Sequence, residues 1–317
     1  MWVLSLIAVG LLLPGLETGA ASLPQIHVDL NQGRADSAIT DLQSSLSTHP
    51  NDAEAHNLLC RVYYQEERWD DAIKECETAV KLEPSDSNYH LWLGRAYGEK
   101  ADAIHSIKAF GLAKKVHAEF EHAVQLDASN ADALSDLGDF YVEAPGVVGG
   151  GKKKAQVVAQ TLAAHDPAQA DQLQAKLAEK DKNYALAEQH FKAAVEASKQ
   201  SADTWMTLAS FYARRQQWDK MLDAVRSGID ADARSPKPYG PALVDAANLL
   251  SRSQREPQLA VQLLKQYLAS ENKSADAPAF RVHAQLGRML EQQGDHAGAQ
   301  KQMEAATELA RDYHPSH

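Results

Sequence analysis

SDSNYHLWLGRAYGEKADAIHSIKAFGLAKKVHAEFEHAVQ, residues 85–125, begins and ends on a pattern that recurs along the chain, and its middle is longer than the pattern requires. It opens on Leu93-Gly94 with Tyr97 three residues on, and closes on Phe120 with Ala123. The opening half returns as Leu59-Cys60 with Tyr63, Leu137-Gly138 with Tyr141, Leu208-Ala209 with Tyr212, and more loosely Leu286-Gly287 with Leu290. The closing half, Ala-x-x-x-large-x-x-small, returns as Ala72/Cys76/Ala79, Ala187/Phe191/Ala194, Met221/Val225/Gly228 and Ala299/Met303/Ala306. Leu59 and Leu93 are 34 residues apart, and so are Pro50 and Pro84. Spacings of three and four put each half on one face of a helix. Small residues let two antiparallel helices approach, and the large one fills the wedge to the next pair. One pair cannot bury its apolar face alone, so the pairs must stack. The expected fold is all-α: an α-solenoid of stacked antiparallel helix pairs.

This pattern resembles the tetratricopeptide repeat family, in its exported bacterial form. The likeness is specific over 53–84, 88–128, 131–167 and 202–233, and looser over 281–311. It is poor in the first helices near 168–178 and 239–251, whose second helices keep the pattern. The resemblance implies a single solenoid over 22–314. It would hold seven helix pairs, with a partial unit near 23–50 capping the stack. Looser connections at 234–240 and 271–277 mark where the superhelix would break slightly.

Residues 1–13 are apolar, Pro14-Gly15 follows, and Gly19-Ala20-Ala21-Ser22 supplies small residues. That is the order of a secretory signal over 1–21, although no Lys or Arg precedes the apolar core. The mature chain is therefore expected to be soluble and periplasmic or secreted, with no stable membrane insertion. Its net charge of −11 argues against nucleic acid and against anionic membrane as partners.

Two turns depart from the repeat. Nine residues separate Tyr63 from Ala72 and Tyr212 from Met221, but nineteen separate Tyr97 from Val116 and fourteen separate Tyr141 from Ala155. The first insertion, near 98–115, carries Ile104, Ile107, Phe110 and Leu112 at nearly helical spacing, so both helices should run on by a turn. The second, near 143–154, holds Pro145 and four glycines and reads as a loop. Val147 and Val148 could cover the apolar tip of the first. The two either pack on one another or form a binding rim. Gly146 to Lys152 imitates a phosphate-binding loop, but Lys153 stands where Ser or Thr is needed and no strand precedes it. Weak anion binding by its glycine amides remains open.

The only cysteines, Cys60 and Cys76, occupy facing slots of one pair. Either a disulfide or two buried thiols would fit, and the demanding geometry of a disulfide favours the thiols. His117 and His122 are five apart, not the four of a zinc-protease helix, and His56 and His90 fill a packing slot. Metal, cofactor and catalysis are all expected to be absent.

In the family the first helices line a concave groove. Here the resemblance places Asn57, Arg61 and Tyr64, then Leu91, Arg95 and Gly98, then Ser135, Asp139 and Val142 on that face. Asp132, Asp136 and Asp139 stand where carboxylate-gripping members carry basic residues, so that activity is not carried over. The expectation is a non-catalytic scaffold that binds a protein or peptide in this groove. The alternative is an assembly subunit of an envelope complex that docks through the rim at 101–114 and 143–154, with Phe110, Val147 and Val148.

Overall fold

The computed structural model describes residues 22–104 and 108–314. The expected signal over 1–21 and Ile107 of the first insertion lie outside them. Among the described residues sixteen α-helices form eight antiparallel pairs: α1 (Leu23–Gln32) with α2 (Ala35–Thr48), α3 (Ala53–Gln65) with α4 (Trp69–Leu82), α5 (Ser87–Ala103) with α6 (Lys108–Leu126), and α7 (Ala131–Glu143) with α8 (Lys152–Leu162). The second half continues with α9 (Pro167–Lys180) and α10 (Tyr184–Ala197), α11 (Ala202–Arg214) and α12 (Trp218–Ala233), α13 (Ala242–Arg252) and α14 (Pro257–Ala269), and α15 (Ala279–Gln292) with α16 (His296–Leu309). The stretch expected to be a partial N-terminal cap is a full helix pair, so the described stack has eight full pairs where seven and a partial unit were expected.

Local chemistry sets the helix limits. Asp52, Asp86, Asn130, Asp166, Asn183, Ser201 and Asp295 each accept a first-turn amide, and Pro167 and Pro257 open α9 and α14. Packing follows the slots. Phe120 lies against Gly94, where a Cβ would fall 2.5 Å from the ring, and Leu173 fills the space over Gly138. The slot tyrosines also tie neighbouring pairs together. Tyr97 donates to Glu77 (2.5 Å), Tyr141 to Glu121 (2.7 Å) and Tyr212 to Glu188 (3.0 Å). Lys115, Lys154 and Lys220 lie over the same three rings.

The two inserted turns differ in kind. Helices α5 and α6 have 17 and 19 residues against 13 and 14 in α3 and α4, so that hairpin projects from its edge of the stack. The second insertion folds into one turn of 3-10 helix, Gly146–Val148, against α6. The looser connections are firmly held. Both oxygens of the buried Asp232 carboxylate accept amides, from Tyr239 (2.6 Å) and Gly240 (3.0 Å). The fully buried Tyr267 donates to Ala277 O (2.6 Å).

Two results change the expected architecture. First, Cys60 and Cys76 form a disulfide between α3 and α4, with Cα atoms 5.3 Å apart. Helix pairs sharing small residues approach closely enough to meet the geometry that the sequence reading held against the bond. Second, the ends of the stack meet. Phe280 at the start of α15 and Ala310 after α16 are buried in the same apolar cluster as Ile26, Leu30 and Leu58. Gly33, at φ +68°, lies so close to the backbone of Pro278 and Ala279 that no Cβ would fit. The solenoid therefore closes into a ring, with the first helix of each pair on the inside.

Candidate functional site

The inner face is mostly self-satisfied, because its polar residues bond from one repeat to the next. Tyr64 donates to Glu99 (3.1 Å), Arg95 Nε to Asp136 (2.6 Å), Lys176 to Asp139 (2.6 and 2.5 Å), Lys180 to Glu143 (2.8 Å) and Arg214 to Glu179 (2.8 and 3.0 Å). Each partner sits 35 to 41 residues from its mate, about one repeat. Such ladders fix the rotation between pairs and leave few groups for a ligand.

Of the residues expected on the inner face, Tyr64, Arg95, Gly98 and Asp139 line one cleft with Glu99, Asp102, Phe140, Pro145 and Val148. Its volume is about 700 Å³. Inner face and inserted loop thus meet in a single depression, although the sequence reading treated them as competing surfaces. Arg61 stands beside it. Its guanidinium and that of Arg95 both lie against Trp92, 4.7 and 4.9 Å from the ring centroid. Trp92 also meets the Tyr64 ring edge-on at 5.6 Å. Sequence reasoning overlooked Trp92, although it directly precedes the Leu93 slot.

Electrostatics here reflect burial. Burial lowers the Arg61 pKa, Asp276 from near the other end of the chain pulls it back up, and Arg95 adds a like charge. The Asp136 carboxyl is raised by burial against the pull of Arg95. Burial, and then Glu99, raises the Tyr64 hydroxyl. The Arg61 Nε and the Asn57 Nδ2 are buried with no hydrogen-bond partner.

Several expected site residues sit elsewhere. Asn57 (6% exposed) and Leu91 (1% exposed) belong to the interior and not to the groove wall, because the next pair covers that flank of their helices. Ser135 lines a separate inner depression with Asp132, Gln169 and Thr207. At the rim, Val148 is buried, but Val147 is 71% exposed and Phe110 50% exposed. The loop therefore leaves Phe110 half exposed. Nor are the amides of Val148, Gly149, Gly150 and Gly151 free to bind an anion. Val148 N and Gly150 N donate to Pro145 O, Gly149 N to Gly146 O and Gly151 N to Tyr141 O. Gly149, at φ +110°, allows the backbone to press on the His117 ring, where a Cβ would fall 2.5 Å from Nδ1.

Among the described residues no group of three His, Cys, Asp or Glu is placed to hold a metal ion, and no helix is long and apolar enough to cross a membrane. The histidines stitch helices within pairs. His56 bridges Glu75 (2.6 Å) and Pro50 O (3.2 Å), and His90 repeats this with Glu119 (2.6 Å) and Pro84 O (3.1 Å).

Family models described as tetratricopeptide repeat match residues 29–95 and 280–313. No curated protein matches the sequence significantly. Among solved structures, yeast Tom70 is similar at 18% identity and a TM-score of 0.55, over 87% of this chain and 56% of its own. A thermophilic repeat protein of Thermus thermophilus is similar at 20% identity and a TM-score of 0.48, over 56% of this chain and 91% of its own. YrrB, described as a repeat protein with an unusual peptide-binding site, is similar at 17% identity and a TM-score of 0.39, over 61% and 93%. At these identities the likeness is one of fold.

Proposed function

We propose, taking as premise a chain that carries tetratricopeptide repeats, that it is a non-catalytic scaffold holding a segment of a protein partner in the cleft between α5, α7 and the 145–148 turn. The observation that carries this reading is the cleft itself. It joins an aromatic and charged inner wall (Tyr64, Arg95, Asp139) to an apolar floor (Phe140, Pro145, Val148). A peptide needs that mixture: apolar surface for affinity and a few fixed polar groups for register. We place the protein in the periplasm or outside the cell. The apolar stretch 1–13 supports this, as does a disulfide of the kind kept in oxidising compartments.

A second reading rests on Phe110 and Val147, two exposed apolar side chains on one edge. In it the rim docks the protein into an envelope assembly. Affinity capture from an envelope extract, read by mass spectrometry, separates the two. Gly98 has only the Val116 methyl within reach of a Cβ, at 3.9 Å, so Gly98→Leu fills the cleft without straining the helices. Loss of the captured partner in Gly98→Leu supports the cleft. Loss confined to Phe110→Asp with Val147→Asp supports the rim, and capture unchanged in both sinks each assignment. Fractionation of a tagged chain tests export, and a cytosolic result refutes it.

A further inference from the structure

The seam is where the ring closes, and polar contacts there surround a buried apolar cluster. Helix α3 ends at Gln65, whose carbonyl has no helical partner. Arg281 of α15 supplies one from the far end of the chain: its Nε donates to Gln65 O (2.6 Å) and its Nη2 to Tyr64 O (3.3 Å). A cation at a helix C-terminus is favourable for the macrodipole too. Gln65 answers by donating to Ala275 O (2.8 Å) and to Leu30 O (3.2 Å). Arg68 reaches Asp312 (3.3 Å), and the Arg311 amide donates to Asp36 (3.2 Å). The apolar share is Phe280, which meets Tyr313 of its own side at 4.8 Å, and Ala310, both buried in one cluster with Ile26, Leu30 and Leu58 of the other side beside the close approach at Gly33. No loop ties the two sides together, because these partners are 210 to 275 residues apart in sequence.

We propose that this seam is a clasp: the α3–α4 turn and the α1–α2 corner on one side, and the start of α15 with residues 310–313 on the other, open reversibly to admit an extended partner to the inner face. The inference rests on the reading of the inner cleft as the binding site. Two features fit it. A partly polar contact between elements joined only through the rest of the stack favours relative motion, whereas each helix pair is held by a short turn and a shared core. The inside of a closed ring is reached only through its two mouths, so a chain with bulky flanking domains cannot thread it, whereas an opened ring can take it from the side. Tyr64 belongs to both places: its ring lines the cleft and its carbonyl is held by Arg281. A partner that pulls on Tyr64 therefore acts on the clasp.

The test reads the ring directly. Ser44 on α2 and Gln300 on α16 are exposed on helices that meet at the seam. Ser44→Cys with Gln300→Cys takes a donor–acceptor dye pair while Cys60 and Cys76 remain bonded to each other. Arg281→Glu should lengthen the dye separation with helicity unchanged by circular dichroism. It should also speed labelling of an inner-face thiol, Thr207→Cys, by a bulky polyethylene-glycol maleimide by about tenfold, with no change for N-ethylmaleimide. A cross-linked Asp36→Cys/Arg311→Cys ring should remove both effects. Unchanged separation in Arg281→Glu overturns the clasp, and so does equal access for the bulky reagent in the locked and open rings. No partner enters these measurements. A ring that opens while Gly98→Leu leaves capture intact would refute the binding reading and spare the clasp.

Discussion

Glu66 offers the sharpest perturbation, because it is a carboxylate enclosed at the seam. Its side chain is fully covered, one oxygen meets Arg68 Nη1 at 3.3 Å, and the other has no partner. Arg68 is shared with Asp71 (2.8 Å) and Asp312 (3.3 Å), so Glu66 receives only part of one cation. Burial raises its pKa from 4.5 to about 7 against the pull of Arg68, with Asp312 from the C-terminal segment and Asp36 from α2 raising it further. In the folded, closed ring the protonated form is thus favoured. The stability this contributes is fully present below the unfolded value of 4.5 and is lost as pH rises through about 7. The shift corresponds to about 3 kcal/mol as an upper limit. Because Arg68 is partly solvated, about 1–2 kcal/mol is the expected size. Urea melts and the seam dye separation, both followed from pH 5 to pH 8, give the measurement. Wild type should lose stability and loosen at the seam across that range, whereas Glu66→Gln should stay closed and flat. Burial lowers the His90 pKa, but Glu119 more than offsets this and raises it, so the difference between wild type and Glu66→Gln is the quantity to read. If the two proteins share one pH profile, the enclosed carboxylate does not govern the seam.

Three further substitutions test the scaffold. Cys60→Ser with Cys76→Ser removes a cross-link over a sequence separation of 16, and should lower the unfolding free energy by about 3 kcal/mol in denaturant melts with α3–α4 still helical. Gly94→Leu drives a side chain into the Phe120 ring and should destabilise by about 1–3 kcal/mol, whereas the same change at Gly111, with nothing near its Cβ position, should be close to neutral. Arg95→Met strands the half-buried Asp136 carboxylate and should cost about 1–3 kcal/mol at pH 7, with recovery on acidification as Asp136 takes up a proton.

Much of the fold was legible because its rules are local. Gly94 facing Phe120 is a spacing statement, and spacing is what a sequence displays, whereas Leu173, which fills the space over Gly138, comes from the next pair, where the pattern is poor. The inner face was half legible for a related reason. Tyr64, Arg95 and Asp139 are in the cleft, but Asn57 and Leu91 are covered by the neighbouring pair. How far one pair overlaps the next depends on their crossing angle, which no single repeat states. Trp92 went unnoticed because the pattern reserves no slot for it, yet it is the surface on which both arginines rest.

Ring closure was the least legible feature, since it accumulates. A small rotation per pair, repeated over eight pairs, decides whether the last meets the first, and an error of a few degrees per step would leave the ends apart. Closure then has to be held by contacts that sequence proximity cannot suggest. Gln65 reaches Ala275 across 210 residues, and Asp36 meets the Arg311 amide across 275. The first pair supplies Gly33 to let the backbones touch, and the last supplies Phe280 to fill the shared core. Ends meant to stay apart would present polar outer faces, as terminal repeats of open solenoids must. Here Phe280 and Ala310 would be exposed by permanent opening. The closed ring is therefore the resting state of the unaltered chain, and without a partner it opens only transiently.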